Sequence, residues 1–486
     1  MKSQSNRQGL ALIALLCVLA MASCGENPKD STGGSAQGTQ ANRETTEPAG
    51  EETEISYWDT VEQKDFGGKN FTIIGVHNAV RQNFPDAELV GDTVNDALLE
   101  RDNYLSEKFH VTIVYENAEA ADKVCTTVRN SVLADESNYH VVNVRMKEGL
   151  NKLMGQKVLY DLTELPYLNL NSAWWSTNLY ENTLLNGHIY IMMGDLSPLK
   201  YYAPYVMAFN QRLAEEYDLP DMYDLVMDGK WTLDQFEAMT KGLEQDLNGD
   251  GKMDAEHDFY SYAHVNSSIT GNAHFVGAGG VLSQTEGGSV AVNLSTQKTA
   301  DLVERLQTIL TAVKYTDMAE NNTMFVEDRA LFYGNSMTDV LECFRDMKSD
   351  YGIIPVPKLD EEQESYYAYI NPWVDCGISV PLTCDDLEMT GFMMEMMSRR
   401  SYETVRPALY DNLIMQKITR SEKNIPIMDM LFDSTVFDLN SLYEFGQSAK
   451  FLGECIVNNR EFASGLAKIE KAVQKDIAQF MENIES

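Results

Sequence analysis

The sequence predicts an α/β fold that is divided over two or more domains. Patterns typical of helices and of short apolar strands alternate along the chain, which is the order found in α/β proteins. Hydrophobic residues make up 44% and aromatic residues 10% of the 486 residues, enough to form large cores. After the first 54 residues, whose composition differs, roughly 430 remain, more than a single hydrophobic core usually holds.

Hydrophobic periodicity places the main elements in order along the chain. Apolar runs predict strands at residues 70–76, 111–116, 139–146 and 351–358. Helical spacing of apolar residues predicts helices at 94–109, 299–315 and 465–484. The last predicted strand is ended by Pro355 and Pro357, which fix an extended path suited to a crossover between domains. The apolar helix faces are interpreted as core surfaces, without a ligand role.

The first 23 residues have the pattern of a secretory signal peptide. Lys2 and Arg7 precede an apolar run at 9–22, which is too short to cross a bilayer as a permanent helix. Ser23 and Cys24 follow, and the sequence Met-Ala-Ser-Cys resembles the lipobox of bacterial lipoproteins. That resemblance implies cleavage before Cys24 and lipidation of its thiol, whereas an ordinary signal peptide with an incidental cysteine is the alternative.

Residues 24–54 are rich in Gly, Ser, Thr and Glu, and too poor in apolar residues to form a core. We expect them to act as a flexible spacer that holds a folded body away from a membrane. The predicted location is therefore outside the cell, lipid-anchored to the outer face of the bacterial cell membrane, with no membrane-spanning segment.

The formal net charge of −36 limits the classes of partner. Nucleic-acid binding depends on neutralisation of phosphates by Lys and Arg, so an acidic surface argues against it. The same charge disfavours anionic lipids and strongly anionic ligands, and it favours neutral or cationic ones.

Cysteine and histidine give little sign of a metal or disulfide framework. The chain has 7 Cys and 7 His, without the spacing of a zinc site. Cys376 and Cys384 are close enough in sequence to form a disulfide, but we favour buried free thiols for the cysteines after Cys24.

An acidic loop at residues 246–258 resembles the opening of an EF-hand calcium loop. Oxygen-bearing side chains alternate along it, Gly251 permits a sharp turn, and a backbone carbonyl supplies a further ligand. His257 occupies the twelfth position, where a carboxylate is expected, so Asp258 would have to supply the bidentate ligand. A structural Ca²⁺ ion is predicted, and an acidic turn without metal is the alternative. The predicted ligands are Asp246, Asn248, Asp250, Lys252, Asp254 and Asp258.

Segments on both sides of this loop resemble a known family. "FNQRL" at 209–213, "GKWT" at 229–232 and "GIIPVPK" at 352–358 occur in the order and spacing of the extracellular solute-binding lipoproteins of ABC importers. The group is family 1, which is usually assigned to sugars, and the resemblance extends from about Phe71 to Tyr443.

The resemblance implies a two-lobed periplasmic-binding-protein type II fold, with the ligand held in the cleft between the lobes. Residues 56–165 and 351–405 are assigned to lobe I. Residues 166–350 and 406–486 are assigned to lobe II, which carries the acidic loop.

A sugar site needs flat aromatic rings against C–H faces and polar groups at the hydroxyl edges. Tryptophans and tyrosines in the family-like segments, with neighbouring carboxylates, meet this description, and Trp231 is interpreted mainly as a core anchor. The candidate ligand-binding residues are Trp175, Asp195, Tyr201, Tyr369, Trp373 and Asp375.

The predicted function is capture of a carbohydrate, with an oligosaccharide as the expected ligand, by hinge closure and its delivery to ABC permease subunits in the membrane. A monomer without catalytic activity is expected. One alternative is a secreted carbohydrate hydrolase with two carboxylates, although no segment isolates such a pair. Another is a surface lipoprotein used for signalling or adhesion.

Overall fold

The computed structural model describes residues 56–76, 83–89, 91–312, 318–344, 347–415 and 423–485. The predicted signal peptide, the linker and Cys24 lie outside these residues and stay predictions. The chain divides after Glu62 into two units. In the first unit the described residues contain helix α1 (Tyr57–Thr60), which is capped where the Ser56 hydroxyl accepts a hydrogen bond from the Trp58 N–H at 3.3 Å.

The second unit alternates strands and helices, as predicted. Its strands are β1 (Lys69–Gly75), β2 (Val111–Asn117), β3 (Val141–Arg145), β4 (Tyr205–Asn210), β5 (Tyr260–His264), β6 (Gln284–Glu286), β7 (Ser289–Ala291), β8 (Ala330–Ser336), β9 (Tyr351–Ile354), β10 (Ala368–Tyr369), β11 (Cys376–Ser379) and β12 (Thr435–Val436).

The α-helices of the second unit account for most of the remaining described residues. They are α2 (Thr93–Phe109), α3 (Ala121–Leu133), α4 (Asn151–Met154), α5 (Thr177–Thr183), α6 (Gln211–Glu216), α7 (Met222–Met227), α8 (Leu233–Thr240), α9 (Ser268–Gly277), α10 (Gln297–Ala312), α11 (Met318–Val326), α12 (Met337–Cys343), α13 (Leu387–Met415), α14 (Asn424–Asp433), α15 (Leu439–Tyr443), α16 (Ser448–Val457) and α17 (Phe462–Glu485). Shorter helical turns are Met146–Leu150, Leu162–Glu164, Pro198–Tyr201 and Phe445–Gln447.

The first sheet has the strand order β11-β3-β1-β2. β1 is parallel to both of its neighbours, β2 and β3, while β11 runs antiparallel to β3. Phe71, Ile73 and Ile74 of β1 are buried, as expected for a central strand covered on both faces.

The second sheet has the order β5-β8-β4-β9. β5 is parallel to β8, and β4 is antiparallel to both of its neighbours. Trp231, predicted as a core anchor, is fully buried beside this sheet, and its indole N–H donates to the carbonyl of Pro355 at 2.9 Å.

Two helices from opposite sides of the molecule define where a site can form. The long helix α13 packs on α2 beside the first sheet, whereas α14 packs on β9 and α7 beside the second. Residues 146–204 lead from the first sheet to the second, and residues 355–375 lead back.

One strand differs from the predicted lobe assignment. Tyr351–Ile354 was expected at the start of the return to lobe I, but β9 pairs with β4 of the second sheet, with Tyr351 opposite Asn210. The return therefore begins after Ile354. An all-apolar run such as "YGII" suits a buried position in either sheet, so its periodicity does not identify the partner strand. The remaining lobe boundaries stay predictions.

No disulfide joins the described cysteines after Cys24, and buried cysteines without disulfides were favoured from the sequence. Cys125, Cys376, Cys384 and Cys455 are buried, and Cys343 is half-buried. Burial raises the pKa of the Cys125 thiol to about 11, so this group stays protonated and unreactive at neutral pH. Among the described helices, none has a stretch both long and apolar enough to span a bilayer.

Candidate functional site

A cavity of about 540 Å³ lies between α13 and α14, and we call it the first cavity. Tyr402 and Arg406 line it from α13, whereas Asp429 and Phe432 line it from α14. The segment 173–177 and the turn that contains Lys200 and Tyr201 complete its wall. Because α13 packs beside the first sheet and α14 beside the second, this cavity receives side chains from both sides of the molecule.

Aromatic rings form much of the wall of the first cavity. Tyr201 and Phe432 meet edge to face, with ring centroids 4.9 Å apart. The Arg406 guanidinium lies 5.1 Å from the ring centre of Tyr402 and 6.0 Å from that of Tyr201. Each ring is thereby fixed by a neighbour, which favours a rigid surface for a flat apolar ligand face.

Glu395 of α13 holds the tryptophan pair beside this wall. Its carboxylate accepts hydrogen bonds from the indole N–H of Trp175 at 2.9 Å and of Trp174 at 3.1 Å. It also accepts from Ser172 Oγ and from the Asn169 backbone N–H. Burial raises the pKa of Glu395 above its usual value, although these hydrogen bonds oppose the rise. One buried carboxylate therefore fixes the plane of the Trp175 ring.

The backbone at Gly194 lies against the other side of Trp175. A Cβ atom at this position would stand 2.3 Å from the Trp175 ring, so only glycine permits the contact. The Trp175 N–H group and the Ser172 carbonyl form a backbone hydrogen bond of 3.1 Å that closes the preceding turn.

Opposite charges are paired around the first cavity. Lys200 Nζ lies 2.5 Å from Asp195 Oδ1, and Arg406 donates to Asp429 Oδ1 at 3.3 Å. Asp433 stands at the rim with 75% of its side chain exposed. The cavity therefore offers both hydrogen-bond donors and hydrogen-bond acceptors, but little unpaired positive charge. This combination suits a polar, neutral ligand.

Tyr201 and Asp195 form a buried pair next to Lys200. The Tyr201 hydroxyl donates to Asp195 Oδ1 at 2.5 Å. Burial, followed by the Asp195 charge, raises the pKa of Tyr201 well above its usual value, so the phenol keeps its proton. Asp195 thus contacts two lining residues from behind.

The six predicted ligand residues fall into two groups. Trp175 and Tyr201 line the first cavity, and Asp195 supports it from behind. Tyr369 is 1% exposed, Asp375 is fully buried, and Trp373 is 45% exposed, and none of these three lines the cavity. Their ligand-binding role stays a prediction to which the cavity lends no support. Trp373 and Tyr369 lie near Ile370 in sequence, and Ile370 does line the cavity.

Sequence reasoning missed the residues that α13 and α14 contribute. Tyr402 and Arg406 are four residues apart, as are Asp429 and Asp433, so each pair shares one helix face. That spacing was visible, but it is equally typical of solvated helix surfaces. Only the packing of two helices from opposite sides of the molecule brings these residues together.

The acidic loop does not bring its carboxylates into a ligand set. Asp258, which is fully buried, accepts from the backbone N–H groups of Leu247 at 2.9 Å and Asp254 at 2.7 Å. Asp246 accepts from Gly249 and Gly251, and His257 Nδ1 lies 3.1 Å from Asp254 Oδ1. Within the part of the chain that is described, no three His, Cys, Asp or Glu side chains group closely enough to hold a metal. Calcium therefore stays a prediction without geometric support.

Comparisons with known proteins identify the fold. No family model matches the sequence, and no curated protein matches it. Among solved structures, a cyclo/maltodextrin-binding protein complexed with maltotetraose is 12% identical, with a TM-score of 0.55 over 86% of this chain and 97% of that one. An ABC substrate-binding protein of Listeria monocytogenes in complex with cycloalternan is 12% identical, with a TM-score of 0.52 over 86% and 99%. RafE of Streptococcus pneumoniae, in its apo form, is 15% identical, with a TM-score of 0.51 over 87% and 100%.

The chain therefore has the two-lobed α/β fold of ABC substrate-binding proteins, and the fold expected from the sequence is confirmed. At these identities the likeness establishes the fold and leaves the ligand to be argued from the site.

Proposed function

We propose that this protein is the substrate-binding component of an ABC importer and captures a neutral carbohydrate in the first cavity. It is exported, lipidated at Cys24 and tethered to the outer face of the bacterial cell membrane, where it acts as a monomer and delivers an oligosaccharide to permease subunits. The observation that carries the proposal is the aromatic wall of Trp175, Tyr201, Tyr402 and Phe432, set among paired charges on a solute-binding fold.

The chemistry of the wall favours a sugar over other polar solutes. Sugar rings present C–H faces that pack on aromatic rings, and their hydroxyl edges both donate and accept hydrogen bonds. Arg406 and Lys200 donate, and Asp429 and Asp433 accept. Since Arg406 and Lys200 already have carboxylate partners, an anionic ligand gains little from them.

Closure of the lobes provides the link to transport. A ligand that contacts α13 and α14 at once binds best when the two are close, so it favours the closed state by its differential affinity. Permease subunits that recognise this closed state would then distinguish loaded from empty protein. The solved relatives are described as binding proteins, which favours capture over hydrolysis.

Calorimetric titration with maltotetraose and cycloalternan tests the proposal on the protein from residue 56 onward. In a separate denaturant-unfolding experiment, a ligand at about 100 times its Kd should raise the free energy of unfolding by about 2.7 kcal/mol. Tyr402→Ala should weaken binding, because it removes one aromatic surface of the cavity. Trp373→Ala is the matched control, since Trp373 is exposed and does not line the cavity.

Equal affinity in wild type and Tyr402→Ala, or a loss in Trp373→Ala alone, would place the site elsewhere. Release of reducing ends from either glycan would favour the hydrolase. Binding without any uptake defect in a deletion strain would favour a role in signalling or adhesion.

The lipid anchor has its own test in living cells. Wild-type protein should incorporate labelled palmitate and sediment with membranes, whereas Cys24→Ser should remain unlabelled. Cys17→Ser, a cysteine inside the predicted signal peptide, serves as control and should leave labelling unchanged.

A further inference from the structure

A second cavity of about 540 Å³ adjoins the first. It lies beyond the α14–β12 segment, on the side of α7. Its wall includes Asn182, Met227, Tyr366, Tyr367, Met430 and Asp433. The volume falls within the range of ordinary small-molecule sites.

The two cavities share one wall. Asp433 lines both, Thr435 lines the first and Val436 lines the second. Successive residues of a strand point to opposite faces, which explains how β12 serves two cavities at once. Pairing with β10, through Ala368 opposite Thr435, holds this wall in place.

Helix α5 borders both cavities. Thr177, at its first residue, lines the first cavity, and Asn182, near its last, lines the second. Five residues of α-helix span about 7.5 Å, so an elongated ligand that follows α5 passes from one cavity to the other. Asp433, at the rim between them, stands beside that path.

The second cavity has the chemistry of the first but lacks its cations. The Tyr366 ring is fixed, because its hydroxyl accepts a hydrogen bond from the Trp231 backbone N–H at 3.1 Å. Met227 is 53% exposed, which leaves apolar surface open to a ligand. Glu364, Asp433 and Asn182 are polar, and no Lys or Arg belongs to the described lining. This combination fits a neutral ligand with apolar faces and hydroxyl edges.

We propose that the second cavity is a separate subsite for the same ligand, a linear neutral oligosaccharide that crosses Asp433 and fills both cavities. The inference rests on the proposed function and adds a selection for chain length. Short saccharides occupy the first cavity only, and longer ones gain affinity from Tyr367 and Met227.

Length-dependent titration tests this subsite on the purified full chain. The probes are two glucose series from disaccharide to tetrasaccharide, one with α-1,4 and one with β-1,4 linkages. Met227→Ser and Tyr367→Ala should each weaken tetrasaccharide binding roughly tenfold, as expected for one lost apolar contact, and leave disaccharide binding unchanged. Tyr402→Ala should weaken both. Leu133→Ser, which replaces an exposed apolar residue on α3, is the matched control and should change neither.

The outcomes separate the two proposals. Tetrasaccharide affinity equal to disaccharide affinity in wild type, or unaltered by Met227→Ser and Tyr367→Ala, would overturn the second subsite and leave the first cavity standing. Failure of every saccharide in both series, and of cycloalternan, to bind wild type would defeat the carbohydrate proposal itself and this inference with it.

Discussion

Glu395 shows how one buried side chain can set the geometry of a binding surface. It receives both neighbouring indole N–H groups and is 6% exposed. A carboxylate accepts at both oxygens, whereas an amide accepts at one and donates at the other. The residue is therefore a positioning residue for Trp175 and has no need to contact the ligand.

Glu395→Gln should disturb the tryptophan pair without leaving a void. The amide N–H₂ group would face an indole N–H, so we expect a loss of about 1–3 kcal/mol in the free energy of unfolding and weaker maltotetraose binding. Denaturant unfolding measures the loss of stability, and calorimetric titration measures the affinity for maltotetraose. Tryptophan emission reports the disturbed indole pair. Glu403→Gln, an exposed position on the same helix, is the control. Unchanged emission and affinity in Glu395→Gln would contradict the positioning role.

Asp375 is a fully buried carboxyl group that lies within electrostatic range of Lys200. Burial raises its pKa to about 7, although the Cys376 backbone N–H and the Lys200 charge oppose the rise. Because the folded pKa exceeds the unfolded value, the protonated form stabilises the fold at low pH. This contribution is complete below the unfolded pKa of about 4 and is lost as pH rises through about 7.

Asp375→Asn should remove this pH dependence. Relative to wild type, its free energy of unfolding should rise by roughly 4 kcal/mol between pH 4 and pH 8, because about three pKa units are involved. Urea unfolding across that pH range measures the difference. Asp135→Asn changes an exposed carboxylate and should follow the wild-type curve. Parallel curves for Asp375→Asn and wild type would show that the buried carboxyl group does not titrate differently on folding.

Among single residues, the sequence led to Trp175 and Tyr201 because aromatic side chains in the family-like segments are few and chemically suited to sugars. Tyr369 and Trp373 have the same chemistry, but their orientation depends on β10 and on a loop whose course is set by distant contacts. Residue type is thus readable from a sequence, whereas the direction of a side chain is a property of the packed molecule.

Two helices illustrate how backbone contact constrains an element. A Cβ atom on Gly271 of α9 would lie 2.2 Å from the Gly453 carbonyl oxygen of α16, so the two helices touch through glycines. Backbone cannot move aside as a flexible side chain does, and the helices would have to separate.

Gly271→Ala should therefore lower the free energy of unfolding by about 1–3 kcal/mol, the usual range for overpacking, despite the better helix propensity of alanine. Thermal unfolding measures the effect. Gly155→Ala is the matched control, since the nearest heavy atom to its Cβ would be a side-chain nitrogen at 3.7 Å. A melting temperature for Gly271→Ala at or above that of wild type would refute this packing argument.

Helix positions agreed with the sequence more closely than strand partners did. The predicted helix at 94–109 is observed at Thr93–Phe109, because its apolar residues recur at a helical period and His110 ends it in the left-handed region. The partner of β9 was not predicted, since pairing depends on which sheet the chain has reached and leaves no local signal.

Carboxylates of the acidic loop accept hydrogen bonds from the backbone N–H groups of the same loop. We nevertheless propose that the loop binds calcium, because the start of the loop resembles that of an EF-hand. We expect millimolar calcium to raise the melting temperature and a chelator to reverse the rise. Asp250→Asn should weaken the response, because it removes one carboxylate charge while keeping an oxygen ligand. Asp234→Asn, on α8, is the control for charge alone. A melting temperature that changes with neither calcium nor chelator would contradict the proposed calcium site.

At the scale of the whole molecule, the order of family-like segments predicted the two-lobed fold, although no single segment did so. The residues of the first cavity come from positions as far apart as 173 and 435. Their meeting point depends on how α13 and α14 face one another, which the sequence encodes only through the complete set of packing contacts.

The cysteines described above have a practical consequence for how the protein is handled. The five cysteines within the described residues form no disulfide, so that part of the chain offers a reductant no cross-link to break. Dithiothreitol should therefore leave the unfolding curve unaltered, and the protein can be purified and stored with reductant present.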